Sequence, residues 1–76
     1  MAFRDGNVPF KRFVKAAGGP GAAAEMLGVS LASIASYRLG RRAVPLALAK
    51  VVEEFMGGEV TRMDVLYPED WRSTRQ

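Results

Sequence analysis

Glycine and proline divide this chain into short segments, and this punctuation limits the folds it can adopt. Breaks occur at Gly18-Gly19-Pro20, Gly28, Gly40, Pro45 and Gly57-Gly58. Glycine readily takes the left-handed conformation that ends a helix, and proline suits the first turn of the next helix. The segments between the breaks are therefore too short for long helices, and we expect several small ones.

The segments between the breaks show the spacing of amphipathic helices. In the first segment Phe10, Phe13 and Val14 recur at helical intervals. Lys11, Arg12 and Lys15 fall on the opposite side of the same helix. We predict four helices of this kind, over 9–17, 20–27, 31–39 and 45–56.

The region after the last pair of glycines admits two predictions. Thr61 lies three residues before Asp64, which is an N-capping pattern and favours a short fifth helix through Leu66. A strand over 59–67, rich in valine and tyrosine, is the alternative. We favour the helix, and we expect Trp71 to fold back onto the core.

The length allows one domain only. The chain has 76 residues, of which 49% are hydrophobic and 25% charged, as in ordinary globular proteins. We expect an all-α domain over 9–71, between a flexible tail over 1–8 and a polar tail over 72–76. No stretch approaches the ~20 apolar residues of a membrane helix, and no signal-peptide pattern is present, so we expect a cytoplasmic location and no membrane partner.

The composition argues against an enzyme. The chain has no cysteine and no histidine, which excludes disulfides, thiolate nucleophiles, Cys/His zinc sites and imidazole acid–base catalysis. The carboxylate pairs Glu53-Glu54 and Glu69-Asp70 are adjacent in sequence, so on a helix they diverge by ~100°. We therefore expect no catalytic residue, no metal site and no cofactor.

The charges are unevenly distributed along the chain. Residues 1–42 carry seven basic and two acidic side chains, whereas residues 43–76 carry four basic and six acidic ones. A basic half beside an acidic half indicates one face for a polyanion and another for a different contact.

The second and third predicted helices have the outline of a helix-turn-helix over 20–39. They are short and are joined by a three-residue turn that contains glycine. Ala24 supplies the small residue needed where the two helices cross, Gly28 permits the turn, and Ile34 packs from the other side. Caps, breaks and helical periods all agree with this interpretation.

Several parts of the sequence resemble the YdaS-like, Cro-type proteins of prophages. The resemblance covers roughly residues 10–71. It is carried by Ile34, Tyr37 and the segments 18–30, 40–45, 57–62 and Tyr67-Pro68. It implies a five-helix, lambda-repressor-like DNA-binding fold and a role as a phage or prophage transcription regulator, a class often described as antitoxins.

If the third helix enters the major groove of DNA, its N-terminal and outward residues face the base edges. These base-edge candidates are Ser30, Leu31, Ala32, Ala35 and Ser36. Glutamine, asparagine and arginine, which make bidentate base contacts, are missing from this set, although apolar groups can touch thymine methyl groups. We therefore expect discrimination to depend on arginines and on DNA shape. The alternative is that Leu31, Ala32 and Ala35 form a protein interface.

The residues expected to contact DNA phosphates are mostly basic. Arg41 and Arg42 are the first choice because they directly follow the third helix, although paired arginines are also common in solvated turns. Pro20 and Gly21 open a helix whose N-terminal amides attract anions. The remaining phosphate candidates are Ser33, Arg38, Lys11, Arg12 and Lys15. The three basic residues of the first helix, Lys11, Arg12 and Lys15, could equally form its solvated face.

The apolar residues of the acidic half are core residues by default, and any surplus apolar surface among them would suit a dimer or partner contact. These candidates are Phe55, Met56, Val60, Met63, Leu66 and Trp71. We expect a homodimeric, Cro-like repressor that binds double-stranded operator DNA and is nucleoid-associated when bound. The alternatives are an antitoxin or phage-encoded interaction module that binds a protein such as a toxin, and a CII-like activator that touches RNA polymerase.

Overall fold

Five short helices follow one another in the computed structural model, which describes residues 6–68. They are α1 (Val8–Ala17), α2 (Pro20–Leu27), α3 (Leu31–Arg38), α4 (Leu46–Met56) and α5 (Arg62–Leu66). No strand occurs within this range, so the all-α prediction is confirmed and the alternative strand over 59–67 is wrong. Trp71 and the predicted polar tail lie outside the described residues.

Local sequence signals set the ends of these helices. The Thr61 side chain accepts a hydrogen bond from the Asp64 amide, and the Asp64 carboxylate accepts one from the Thr61 amide. This capping box explains why α5 forms although it has only five residues. Gly28 ends α2 with φ 70°, a left-handed conformation that favours glycine.

The start of the domain differs from the prediction. α1 begins at Val8 instead of Pro9, and Asn7, which the sequence places in the flexible tail, is only 2% exposed. The Asn7 side-chain oxygen accepts a hydrogen bond from the Phe10 amide, and its Nδ2 donates to the Val65 carbonyl of α5 at 3.1 Å. The Asn7 amide also donates to the Arg38 carbonyl at 2.9 Å. Asn7 therefore belongs to the folded domain and ties α1 to α3 and α5.

Two further boundaries differ by one residue from the prediction. α3 ends at Arg38, and Leu39 is its C-cap. α4 begins at Leu46, because Pro45 takes an extended conformation at the N-cap instead of entering the first turn.

The hydrophobic core centres on α1, which packs against each of the other four helices. Its Phe10 ring lies 5.6 Å from the ring of Phe13 and 5.6 Å from that of Tyr37 in α3, in tilted and edge-on arrangements that aromatic pairs favour. α2 also packs on α3, and α4 on α5. The fold therefore consists of two helix pairs joined through α1. No helix among residues 6–68 is long and apolar enough to cross a membrane.

Candidate nucleic-acid interface

α2 and α3 form a closely packed pair across a tight turn. Ala24 is buried where the two helices meet, and its carbonyl accepts a hydrogen bond from the Val29 amide in the turn. Ile34 is fully buried, and Val29 packs against the core. Because the inner side of α3 is fixed in this way, its outer side is presented as a rigid surface.

The outer side of α3 is apolar. Leu31 is 60% exposed, and Ala32 and Ala35 are also exposed. Leu39, four residues beyond Ala35, is 46% exposed and extends the same side past the end of the helix. We call Leu31, Ala32, Ala35 and Leu39 the α3 face.

The hydroxyl groups at the start of α3 are engaged within the helix. Ser30 Oγ accepts a hydrogen bond from the Ser33 amide and donates one to Ser33 Oγ, both at 3.1 Å. Ser36, the third predicted hydroxyl, is half-buried. The first turn of α3 therefore uses its hydroxyls for capping, and the α3 face has few groups that could form hydrogen bonds with a ligand.

Two arginines lie beside the C-terminal end of α3. Arg41 and Arg42 are exposed, and both backbone amides donate to the Ser36 carbonyl, at 2.9 Å and 3.4 Å. The Arg42 guanidinium lies 5.4 Å from the centre of the Tyr37 ring, a cation–π arrangement. Because Tyr37 is buried, this contact holds Arg42 against the body of the domain while leaving it accessible.

A second group of basic side chains surrounds an open groove of about 410 Å³. The groove lies between α1, the start of α2 and the end of α3, and its lining residues are Lys11, Val14, Lys15, Gly19, Pro20 and Arg38. α2 has no side-chain cap, and its first backbone hydrogen bond runs from the Ala23 amide to the Gly19 carbonyl. The amides that precede this bond, including that of Gly21, have no partner within the helix. Three basic side chains beside a helix N-terminus favour an anionic group.

Arg12 does not join this groove. Its guanidinium pairs with the Glu59 carboxylate at 3.3 Å, and both side chains are largely exposed. Of the three basic residues predicted on α1, the structure brings Lys11 and Lys15 to the groove and directs Arg12 toward the acidic half of the chain.

The charge asymmetry of the sequence persists in the folded domain. Within the part of the chain that the structure describes, residues 6–42 carry six basic side chains and one acidic one, while residues 43–68 carry two and four. Both ion pairs of known geometry involve the acidic half, and the second joins Arg62 to Glu53 at 2.7 Å. The first three helices and the loop that follows α3 therefore carry most of the positive charge of the described residues.

The acidic half leaves part of its predicted contact set exposed. Phe55 is 45% exposed and Met63 57% exposed, while Met56 and Leu66 are half-buried against the core. Val60 is fully buried, as expected of a core residue, because the chain after α4 turns back and packs it into the core. It therefore offers no surface for a dimer or partner contact. Trp71, the last member of this set, lies outside residues 6–68.

Sequence reasoning missed two residues, the exposed Leu39 and the buried Asn7. Leu39 was recognisable, because it follows Ala35 by four residues and so continues the same side of the helix. The sequence marks Asn7 only as a possible helix cap shortly before a proline. The preceding Asp5-Gly6 pair indicated a turn instead. Its contacts with α3 and α5 had no local signal.

Comparison of the chain with protein-family models, curated proteins and solved structures finds no match. Among residues 6–68 no group of three or more acidic side chains could hold a metal ion.

Proposed function

We propose that this chain is a helix-turn-helix transcription regulator with a lambda-repressor-like fold, which binds operator DNA as a homodimer. The observation that carries the proposal is the exposed α3 face together with two groups of basic side chains near the C-terminal end of α3. An α-helix with its side chains is ~10–12 Å in diameter, which fits the ~12 Å wide major groove of B-DNA. A Cro-like role as a phage or prophage repressor in the cytoplasm agrees with the sequence resemblance.

The two basic groups suit the two strands that border a major groove. Arg41 and Arg42 would contact phosphates beside the end of α3. The groove formed by Lys11, Lys15 and Arg38 would receive a phosphate of the other strand near the start of α2. These contacts fix the position of α3 on the duplex and give affinity without sequence preference. The proposal assigns the chain no catalytic step and needs no cofactor.

Dimerisation would use the acidic half, on the side of the chain that carries little positive charge. Phe55 and Met63 are two of the exposed apolar residues on the packed pair α4 and α5. We expect Met63→Asp to shift the protein from dimer to monomer in sedimentation equilibrium. The matched variant Leu31→Asp changes an equally exposed residue on α3 and should leave the oligomeric state unchanged. A wild-type protein that stays monomeric would contradict the dimer.

The proposal is tested by selecting bound duplexes from a pool of random sequences. We expect an enriched sequence with two-fold symmetry, in which the half-sites lie about one helical turn apart, ~34 Å. The matched control is the double variant Arg41→Ala and Arg42→Ala, which should recover the same sequence with lower yield because phosphate contacts carry no sequence information. A pool that shows no enrichment would contradict sequence-specific binding.

A second function is favoured by the apolar character of the α3 face. An antitoxin or phage-encoded inhibitor would use Leu31 and Leu39 to bind a partner protein, since interface cores are depleted of charge. Its signature would be the absence of duplex binding at low salt together with co-purification of one protein at fixed stoichiometry. An activator of the CII type remains a variant of the first proposal, and transcription in vitro from the bound promoter distinguishes activation from repression.

A further inference from the structure

We infer that α3 recognises the 5-methyl groups of pyrimidines in the major groove, so that thymines at defined positions, and not a pattern of hydrogen bonds, specify its target. The inference rests on the proposed DNA-binding function and adds the chemical feature that this surface reads. Thymine carries the only methyl group among the four unmodified bases in that groove.

The exposed part of α3 offers few polar groups to a base. Base recognition by hydrogen bonds requires donors or acceptors that are free at the surface. Ser30 Oγ and Ser33 Oγ bond to each other, and Ser30 Oγ also caps the helix. The Arg38 side chain lines the groove beside α1. Ser33, Ser36 and Arg38 are half-buried. The exposed residues within α3 are Leu31, Ala32 and Ala35, all of them aliphatic.

The shape of the α3 face allows it to approach the floor of the major groove. Ala32 and Ala35 have single methyl side chains, which allow the helix backbone to approach the floor of the major groove. Leu31 is longer, is 60% exposed and stands at the N-terminal end of the helix, the end that reaches deepest in a helix-turn-helix. Leu31 and Ala35 lie ~6 Å apart along the helix axis, and stacked base pairs are ~3.4 Å apart. The α3 face can therefore contact methyl groups on about two to four neighbouring base pairs.

The charge beside the α3 face favours DNA as its occupant over an apolar protein. An apolar protein partner would gain nothing from the positive charge around α3, whereas a polyanion would. Six of the seven charged residues between 6 and 42 are basic. The major groove of DNA offers apolar methyl groups between two rows of phosphates, and this combination matches an apolar face bordered by Arg41, Arg42 and the basic groove.

The size of the effect follows from the area that a methyl group removes from water. Burial of one such group is worth ~0.8 kcal/mol, which corresponds to about a fourfold change in affinity. Two contacted thymines per half-site would then change the affinity by a factor of about sixteen. A single mismatched base pair in a known site lowers the affinity by a comparable factor.

The test replaces thymine by uracil in the duplex recovered from the random pool, one position at a time. Uracil presents the same hydrogen-bonding edge without the methyl group, so any change in affinity measures the methyl contact alone. We expect about a fourfold loss at two or more positions of each half-site and no change elsewhere. Substitution of 5-methylcytosine for cytosine at the same positions, in a duplex that carries C·G there, should raise affinity by a similar factor.

A protein variant locates the contact on the domain. In Leu31→Ala the thymine that faces Leu31 should lose its methyl dependence, so that thymine and uracil duplexes bind equally at that position. The matched control is Leu46→Ala, the same change at a residue at the start of α4 that is 49% exposed, for which the fourfold ratio should persist. Both residues are exposed, so neither change removes a core contact.

The results distinguish a failure of the methyl inference from a failure of the proposed DNA-binding function. If the selected duplex binds and uracil changes its affinity at no position, the methyl inference is wrong and the DNA-binding function stands. If no duplex binds at low salt, the DNA-binding function is wrong, and the methyl inference falls with it. If Leu31→Ala leaves the thymine preference intact, α3 is not the element that reads the methyl groups, and the inference is again wrong.

Discussion

Replacing Asn7 by alanine tests the contacts by which this residue joins α1 to α5, which the sequence alone does not indicate. The substitution removes the side-chain oxygen that caps α1 and the Nδ2 that donates to the Val65 carbonyl. Loss of an N-cap costs ~1 kcal/mol, and a buried carbonyl left without a donor costs ~1–3 kcal/mol. We therefore expect Asn7→Ala to lower the free energy of unfolding by about 2–4 kcal/mol.

This loss is large for so small a domain. Natural domains are stable by only ~5–15 kcal/mol, and 1 kcal/mol shifts the Tm of a domain of this size by roughly 4–8 °C. Urea unfolding followed by circular dichroism measures the effect as a lower midpoint with an unchanged slope. The backbone bond from the Asn7 amide to the Arg38 carbonyl remains in the variant, so it does not contribute to the difference.

Asn7→Ser serves as the matched control, because serine caps a helix but is too short to reach Val65. It should recover the capping contribution of ~1 kcal/mol and retain the rest of the loss. A loss below ~0.5 kcal/mol for Asn7→Ala is the level of an ordinary surface substitution. That result would refute the argument that Asn7 joins α1 to α5.

Three further variants test separate parts of the account. Thr61→Ala removes one half of the capping box of α5 and should cost ~1 kcal/mol in urea unfolding; a neutral result would mean that packing alone holds α5. Gly28→Ala meets no atom within 4 Å, so its expected loss of ~1–2 kcal/mol in thermal unfolding comes only from the left-handed backbone, and equal stability would contradict this cause. Lys15→Gln should weaken duplex binding and reduce its salt slope by ~0.9, whereas Lys50→Gln on the acidic half should change neither; equal slopes for both variants would remove the groove from the interface.

The helices were predictable because their signals are local. Glycine and proline mark the breaks, and the Thr61 and Asp64 pair lies within one helical turn, so the sequence alone predicted five helices and favoured a helix over a strand for the last one. The ends of α1, α3 and α4 moved by a single residue, since capping geometry decides them.

The contacts between distant parts of the chain were not predictable. Asn7 and Val65 are 58 positions apart, and only the packing of α1 against α5 brings them together. Val60 is apolar in either environment, and its burial depends on the path of the chain after α4. The separation of Arg12 from Lys11 and Lys15 was partly predictable, because residues four apart share a helix side and their neighbour is turned by ~100°.

The central claim is that the basic surface around α3 binds double-stranded DNA. Its most direct test is the affinity for one duplex over a series of salt concentrations, for the wild-type protein and for the double variant Arg41→Ala and Arg42→Ala. The account predicts binding that weakens steeply with salt, and a slope whose magnitude falls by ~0.9 for each arginine that contacts a phosphate, ~1.8 for the pair. Identical slopes for the two proteins, or no binding by the wild type at low salt, would contradict it.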